Sequence, residues 1–429
     1  MTKHMSTPHI LDELKWRGLI HQSTDETELR NHLNESRTLY CGFDPSASSL
    51  HVGNLVALMT LRRFQRFGHK PLALVGGATG MIGDPSGKSE ERNLLSKEQL
   101  AENVAGIKKQ VERFLDFDGL NAAQLVNNYD WTAPVSYLDF LRDVGKHVTI
   151  NTMMAKDSVR SRIERPDAGI SYTEFSYMLL QAFDFAEQFR RFGCTMQIGG
   201  SDQWGNITAG IDLGRRMAGA NLFGLTMPLL LTSDGSKMGK SAKGALWLDS
   251  ERTSPYAFYQ YWINVADVDA GNCLRFLTEL SRDEIEALGE STKNKPGERA
   301  AQKALAQWLT RFVHGDAGLT AARKATDIFF GAEIDSLNDT QLTEIFADVP
   351  SVSVTKTEFE SGISLVDALT RAGLCASKGD AKRALAAGAI ALNNRRLDTD
   401  RALTHADRAS ESVIVLRNGK KRYALLRIA

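Results

Sequence analysis

The sequence has few cysteines and no long apolar run. Its four cysteines lack the close pairing of a zinc site and the density of a disulfide scaffold: Cys41, Cys194, Cys273 and Cys375. No stretch approaches the roughly 20 apolar residues that a membrane helix needs. Charged residues such as Asp12, Glu13 and Lys15 interrupt the N-terminal apolar residues, which argues against a secretory signal. We therefore expect a cytoplasmic protein without a membrane segment.

The two standard phosphate-binding loops are also missing. In the glycine-rich segment 76–88, the dinucleotide fingerprint would need glycine where Ala78 stands, and the Walker loop would need glycine where Ile82 stands. The segment instead leads into one anion and two cations, Asp84, Lys88 and Arg92. These charges indicate either an unusual phosphate site or a flexible charged loop.

The net charge of zero conceals an asymmetry. Residues 361–429 contain 13 lysines and arginines against 6 acidic residues, so this segment carries +7 and the remainder −7. A basic tail on an acidic body favours a polyanionic partner, because phosphate neutralisation dominates nucleic-acid affinity. A solvated basic surface without a ligand is the alternative.

Strand and helix patterns alternate over residues 1–250. Apolar runs predict strands at 39–43, 71–75, 124–126 and 195–198, and helical spacing predicts helices at 50–67, 97–117, 135–144, 172–185 and 202–217. This alternation predicts an α/β fold with a Rossmann-like, doubly wound parallel sheet. We expect a helical domain at 251–347, a linker at 348–360 and a small α+β domain at 361–429.

Two segments of this sheet carry candidate binding residues. Tyr40 to Asp44 ends a strand, which in a parallel sheet places it at the ligand crevice. His51 and Asn54 lie three residues apart in the first turn of the following helix, where the helix dipole favours phosphate.

The helix that starts near Tyr172 carries a polar stripe. Tyr177, Gln181 and Asp184 are spaced i, i+4 and i+7 and so share one face, while their neighbours are apolar. Buried polar groups need partners, so this stripe indicates a pocket for a small polar molecule or pairing with nearby backbone.

Lys237 and Lys240 lie on a segment rich in turn-forming residues, which predicts a mobile loop at about 232–243. Mobile lysines suit a transient negative charge, as in phosphoryl or nucleotidyl transfer. A solvated turn is the alternative.

Taken in order, these motifs resemble the class I aminoacyl-tRNA synthetases, and the flanking residues are similar to the tyrosine-specific branch of that family over essentially the whole chain. The matching phrases are 40–45, 51–54, 83–88, 173–177, 197–206, 237–241 and 254–264. The departures from the family pattern include Asn54, which replaces histidine, and Gly239, which replaces serine.

The resemblance implies a role for each candidate residue. The implied tyrosine-binding residues are Tyr40, Asp84, Asn128, Tyr177, Gln181, Asp184, Gln197 and Gln203, with Tyr40 and Asp184 at the phenol hydroxyl. The implied ATP-binding residues are Cys41, Gly42, Asp44, Ser46, His51, Asn54, Gly200, Asp202, Lys237, Lys240 and Ser241. The residues implied in catalysis are His51, Asn54, Lys88, Arg92, Lys237 and Lys240.

The resemblance also implies the reaction and its partners. L-tyrosine would be activated with ATP, which carries Mg²⁺ on its phosphates without a protein metal site, and then transferred to tRNA(Tyr). The region of about 130–195 would form a homodimer interface. The basic tail resembles an RNA-binding module of a ribosomal protein, and the candidate tRNA contacts are Asp267, Lys378, Lys382, Arg383, Arg395 and Arg396.

Three other interpretations remain open. A tryptophan-specific synthetase would share the fold and both nucleotide motifs, but its indole pocket has no evident need for Tyr40 and Asp184. A non-catalytic RNA-binding relative would lose ATP-binding groups, whereas His51 and Lys237 are present. A different RNA-modifying enzyme could carry the same tail, but not this set of nucleotide motifs.

Overall fold

The computed structural model describes residues 9–84, 95–156, 159–160, 163, 170–241, 244–334, 337–347, 349–419 and 422–429. These residues form two compact units, one of 1–252 with 266–301 and one of 253–265 with 302–429. In the described part of the chain, no helix is long and apolar enough to span a membrane.

The helices and strands follow one another in the order below. The helices are α1 (Ile10–Arg17), α2 (Glu26–His32), α3 (Leu55–Arg66), α4 (Thr79–Ile82), α5 (Lys97–Val111), α6 (Tyr129–Thr132), α7 (Tyr137–Asp143), α8 (Ile150–Met154), α9 (Tyr172–Phe192), α10 (Trp204–Ala218), α11 (Pro255–Ile263), α12 (Asp267–Leu277), α13 (Arg282–Asn294), α14 (Ala300–Phe329), α15 (Asp339–Ile345), α16 (Lys356–Glu360), α17 (Leu365–Arg371) and α18 (Lys378–Ala386). The strands are β1 (Gln22–Ser23), β2 (Thr38–Phe43), β3 (Lys70–Val75), β4 (Gln124–Asn127), β5 (Cys194–Gly200), β6 (Phe223–Met227), β7 (Lys240–Ser241), β8 (Gly244–Ala245), β9 (Ser351–Val354), β10 (Ile390–Leu392), β11 (Arg395–Arg396), β12 (Val413–Asn418) and β13 (Arg422–Ile428).

A six-stranded sheet organises the first unit, in the order β1-β6-β5-β2-β3-β4. The five strands β6, β5, β2, β3 and β4 are parallel, and β1 pairs antiparallel with β6 at the edge. Strand β3 is buried over five of its six residues, as expected for a parallel strand covered on both faces. The predicted parallel α/β sheet is confirmed, and its carboxyl ends on β2 and β5 position the site described below.

Two buried arginines hold helix α12 to the first unit. Arg63 of α3 donates to the carbonyl oxygens of Phe276 at 2.9 Å and Thr278 at 2.7 Å, and Arg17 of α1 donates to that of Arg275 at 2.9 Å. The cations thereby satisfy carbonyls at the carboxyl end of α12, where the helix dipole is negative. Helix α12 therefore packs with the sheet domain, although the sequence predicted it as part of a separate helical domain.

The second unit contains a five-stranded sheet in the order β11-β10-β12-β13-β9. Strand β9 pairs in parallel with β13, and α16 follows it. The predicted linker at 348–360 was therefore wrong over Ser351–Glu360: the alternation of serine and valine there is the period-two pattern of a strand. An apolar cluster that includes Ile328, Phe346 and Tyr423 joins the end of α14 to α15 and this sheet.

Candidate active site

A cleft of about 470 Å³ opens at the carboxyl ends of β2 and β5. It brings together most of the residues that the sequence singled out: Tyr40, Cys41, Gly42, Asp44, Ser46, His51, Asn54, Asp84, Tyr177, Gln181, Asp184, Gln197, Gly200, Asp202, Gln203 and Lys237. Lys88 and Arg92 lie outside the described residues, as do the side chains of Lys240 and Ser241. Residues far apart in sequence thus share one cavity of the size expected for small-molecule sites.

Asp184 lies at the buried end of the cleft and is 2% exposed. Its two carboxylate oxygens accept hydrogen bonds from Asn128 Nδ2 at 2.9 Å and from Trp131 Nε1 at 2.8 Å. Burial raises the pKa of Asp184 to about 7, against the lowering effect of these two donors. The carboxylate is therefore fixed in direction and titrates near neutral pH.

Tyr40 presents a polar group that the described part of the protein does not satisfy. Its hydroxyl is buried without a hydrogen-bond partner, and its ring lies edge-on to Phe185 at 5.3 Å between centroids. Burial raises the pKa of Tyr40 well above its usual value, with the charge of Asp184 as a second cause. An unsatisfied buried hydroxyl is costly, so this position favours a ligand with its own hydroxyl or amide.

A second polar group forms around Asp44, which follows β2. One carboxylate oxygen accepts from Thr79 Oγ1 at 2.8 Å and the other from the Tyr177 hydroxyl at 3.0 Å. Gly76 is required here, because a Cβ at this position would lie 2.2 Å from an Asp44 oxygen. The anion is thus held at the floor of the cleft, between strand β2 and helix α9.

Asp84 joins a third group through two glutamines. Gln203 Nε2 donates to Asp84 Oδ2 at 2.7 Å, and Gln181 Nε2 donates to Gln203 Oε1 at 3.2 Å. Asp202 lies beside this group, and burial raises its pKa, with Asp84 adding to the effect and Lys237 opposing it. The cleft therefore contains several carboxylates suited to an ammonium group or to ribose hydroxyls.

His51 and Asn54 form a capping box before α3. Gly53 N donates to His51 Nδ1 at 3.0 Å, and His51 N donates to Asn54 Oδ1 at 3.0 Å. The Asn54 amide, which departs from the family pattern, thereby closes this turn. The other ring nitrogen of His51 is Nε2. His51 is exposed and lines the cleft at the amino end of the helix, a position that favours phosphate.

The lysine-containing loop packs onto the same framework. Lys237 is exposed, whereas the next residue, Met238, is buried with its Sδ 3.6 Å from Cys273 Sγ of α12. Gly239 adopts φ +78° beside Val52, a conformation that favours glycine over the serine of the family pattern. The loop therefore meets both α12 and the start of α3.

Thr79, Trp131 and Asn206 contribute to the site but were not identified from the sequence. Thr79 binds Asp44, Trp131 binds Asp184, and Asn206 Nδ2 donates to Gln203 Oε1 at 3.1 Å. Their polar partners come from other elements, so spacing gave no signal for Thr79 or Trp131. Asn206 follows Gln203 by three residues, and that interval is a usable signal for a shared helical face.

The candidate tRNA contacts lie elsewhere. Asp267 is exposed at the start of α12, and the basic candidates are all exposed in the second unit: Lys378, Lys382, Arg383, Arg395 and Arg396. Three of these cations have acidic neighbours, with Lys378 2.5 Å from Asp367, Arg383 3.6 Å from Asp380 and Arg395 3.5 Å from Glu333. Exposed pairs of this kind are weak and leave the cations accessible.

Comparison with known proteins places this architecture in a family. A family model described as tRNA synthetases class I (W and Y) matches residues 32–331, and a second, described as the tyrosine–tRNA ligase SYY-like C-terminal domain, matches 341–426. The chain belongs to the class I tRNA synthetases and is an enzyme of that class.

The full-length relatives narrow the assignment. A tyrosine–tRNA ligase of Rhodopirellula baltica is 60% identical over all of this chain and 98% of the relative, and one of Roseiflexus castenholzii is 54% identical over 98% of this chain and 99% of the relative. A C-terminally truncated mitochondrial tyrosyl-tRNA synthetase of Aspergillus nidulans, 30% identical, superposes with a TM-score of 0.69 over 76% of this chain and 96% of its own. Within its class, the chain belongs to the tyrosine–tRNA ligases.

Proposed function

We propose that this cleft activates L-tyrosine with ATP, giving tyrosyl-adenylate and pyrophosphate, and that the tyrosyl group then passes to the 3′ end of tRNA(Tyr). The observation that carries this assignment is the buried, unsatisfied Tyr40 hydroxyl in the same cleft as the fixed carboxylate of Asp184. A phenol hydroxyl can donate to the carboxylate and accept from Tyr40, which satisfies both groups. An indole N–H can donate but cannot accept, and an unsubstituted phenyl ring does neither. Neither ligand therefore gives the Tyr40 O–H an acceptor.

We assign the ammonium and carboxylate groups of the tyrosine substrate to the open end of this pocket. Asp84, Tyr177 and Gln181 hold the ammonium group, and Gln197 and Gln203 orient the carboxylate towards ATP. Asn128 acts through Asp184 rather than on the substrate, because its amide donates to that carboxylate. The acidic surroundings described above support the ammonium assignment through simple charge complementarity.

ATP is assigned to the side of the cleft formed by β2, the start of α3 and the lysine loop. Cys41, Asn54, Gly200 and Asp202 face the ribose, and Gly42 and Asp44 line the nucleotide pocket. Ser46 and His51 meet the γ-phosphate. The cations assigned to the departing pyrophosphate are Lys88, Arg92, Lys237 and Lys240, and Ser241 is also assigned to the ATP site. Mg²⁺ enters as part of the MgATP substrate.

The reaction requires no nucleophilic side chain. The tyrosine carboxylate attacks the α-phosphorus of ATP in line and pyrophosphate leaves. A ribose hydroxyl at the tRNA end then attacks the acyl carbon of the adenylate, and AMP leaves. Positioning of the carboxylate and neutralisation of the developing phosphate charge lower the barrier. The hydrogen-bonded groups around Asp44 and Asp84 supply the positioning, and the exposed Lys237 supplies the neutralising charge.

We further propose a cytoplasmic homodimer that binds tRNA(Tyr) through its basic tail. Large exposed apolar side chains concentrate in the region expected at the dimer interface: Tyr137, Leu138, Ile150, Met154 and Tyr172. Clustered apolar side chains on a surface favour a protein partner. The tail, at 361–429, is the part of the second unit that we assign to tRNA binding.

Pyrophosphate exchange into ATP tests the proposal directly. Purified protein, Mg²⁺ and each amino acid in turn are combined without tRNA. Tyrosine-dependent exchange that is negligible with phenylalanine and tryptophan is expected. Exchange that depends on tryptophan would overturn the pocket assignment, and no exchange from folded protein that binds tRNA would overturn the catalytic assignment.

A further inference from the structure

Phe330 is an exposed aromatic side chain that directly follows Phe329, the last residue of α14. It is 73% exposed, an unusual setting for a phenylalanine in a soluble domain. Its ring is nonetheless supported, because it lies edge-on to Phe329 with 5.9 Å between centroids, and Phe329 stacks on Tyr423 at 5.5 Å. The outer face of Phe330 therefore has a defined position on a packed aromatic base.

Asn394 ties this turn to the C-terminal sheet. Its Nδ2 donates to the carbonyl oxygens of Ile328 at 2.8 Å and Ala332 at 2.7 Å, on either side of Phe330. Its Oδ1 accepts from the Tyr423 hydroxyl at 3.2 Å. Asn394 has a positive φ of +65° in the turn between β10 and β11. The turn that carries Phe330 is thereby fixed beside the turn that leads into Arg395 and Arg396.

Cations surround this position. Arg395 and Arg396 are exposed and follow Asn394 directly, and Arg417 lies against Gly331, where a Cβ would be 2.7 Å from its Nη1. Glu333 pairs with Arg395 at 3.5 Å, with both side chains more than 70% exposed. An exposed pair of this kind is weak, so a phosphate can replace Glu333 as the partner of Arg395.

We propose that Phe330 is a stacking platform for an unpaired base of the bound tRNA, with Arg395 and Arg396 on the adjoining phosphates and Asn394 as the positioning residue. An exposed aromatic face beside arginines is the arrangement that single-stranded RNA segments favour, because every base offers a π-face and the backbone offers phosphates. This proposal rests on the proposed function only in taking tRNA as the ligand.

The test measures the dissociation constant of a tRNA(Tyr) transcript for Phe330→Ala, Phe330→Leu and Phe330→Trp. Stacking predicts a loss of about tenfold for the alanine variant, a similar loss for leucine, and wild-type or tighter binding for tryptophan. Leu120→Ala is the matched control, because it truncates an apolar side chain that is 97% exposed in the first unit. Wild-type affinity in Phe330→Ala, or full rescue by leucine, overturns the stacking role.

Two further measurements separate the parts of the proposal. The Phe330→Ala loss should be the same at low and high salt, whereas Arg396→Ala should reduce the salt dependence of binding. Asn394→Gly keeps the backbone conformation but removes the amide, so it should weaken tRNA binding and add little on top of Phe330→Ala. Full additivity of these two losses overturns the positioning role.

Tyrosine-dependent pyrophosphate exchange without tRNA should be unchanged in all these variants. If the unsubstituted protein lacked that exchange, the proposed function would fail while the tRNA measurement still stood. If exchange is normal and Phe330→Ala binds tRNA normally, the stacking platform alone fails.

Discussion

The affinity for tyrosine should fall as the pH drops through about 7, because Asp184 then loses its charge. Burial raises the pKa of Asp184 from its ordinary 3.8 to about 7, with Asp44 and Glu187 as further causes and with Asn128 and Trp131 opposing it. A charged acceptor forms a stronger hydrogen bond with a phenol than a neutral carboxyl does. The ionised pocket is therefore the form that binds tyrosine well.

The size of the effect follows from that pKa. About nine-tenths of the Asp184 carboxyls are ionised at pH 8 and about one-tenth at pH 6, since each pH unit from the midpoint changes the ratio tenfold. If the ionised form alone binds tightly, the apparent Kd rises in proportion to its loss. Tyrosine should thus bind about tenfold more weakly at pH 6 than at pH 8, whereas phenylalanine binding should stay flat.

Isothermal titration of the ATP-free protein across this pH range measures the effect. Asp184→Asn should remove the pH dependence. Trp131→Phe removes a donor that lowers the pKa, so the midpoint should move above 7. An equal slope for tyrosine and phenylalanine, or a midpoint that moves down in Trp131→Phe, would refute this account of the pocket.

Three other outcomes are expected. Lys237→Ala should slow tyrosyl-adenylate formation in single-turnover assays with little change in tyrosine Kd, because its contact strengthens as phosphate charge develops; a large rise in Kd at a normal rate contradicts this. Asp184→Ala should reduce the preference for tyrosine over phenylalanine in pyrophosphate exchange, and unchanged preference would place the specificity pocket elsewhere. Arg63→Met should cost about 3 kcal/mol in urea unfolding, because buried carbonyls at the end of α12 lose their donor. Arg66→Ala, at an exposed position, is the control and should cost under about 0.5 kcal/mol.

Period and spacing predicted the elements of the sheet domain well where the pattern was regular. The strand at 71–75 and the helix at 172–185 both exist, as β3 and the first two-thirds of α9. Strand β6 was missed although Phe223, Leu225 and Met227 alternate with Gly224 and Thr226, which is the period of a strand. Strand β9 was missed because Pro350 next to it favoured a linker.

The candidate site was predictable one helix face at a time. The stripe of Tyr177, Gln181 and Asp184 does face one cleft, as the spacing of α9 indicated. The bonds within the site could not be predicted, because they join residues such as Tyr177 and Asp44 that are 133 positions apart. Such pairings depend on which strands neighbour each other, and spacing along one element carries no information on that order.

The contacts of Arg17 and Arg63 with the end of helix α12 can form only after the ribosome has synthesised that helix. The sheet and its cleft are complete by residue 252, yet the first unit also needs 266–301. Until the ribosome has released that segment, Arg17 and Arg63 have no carbonyls to receive them, and Met238 lacks its contact with Cys273. A nascent chain that stops at residue 252 therefore holds the motifs of the nucleotide site up to that point without the contacts that complete the first unit.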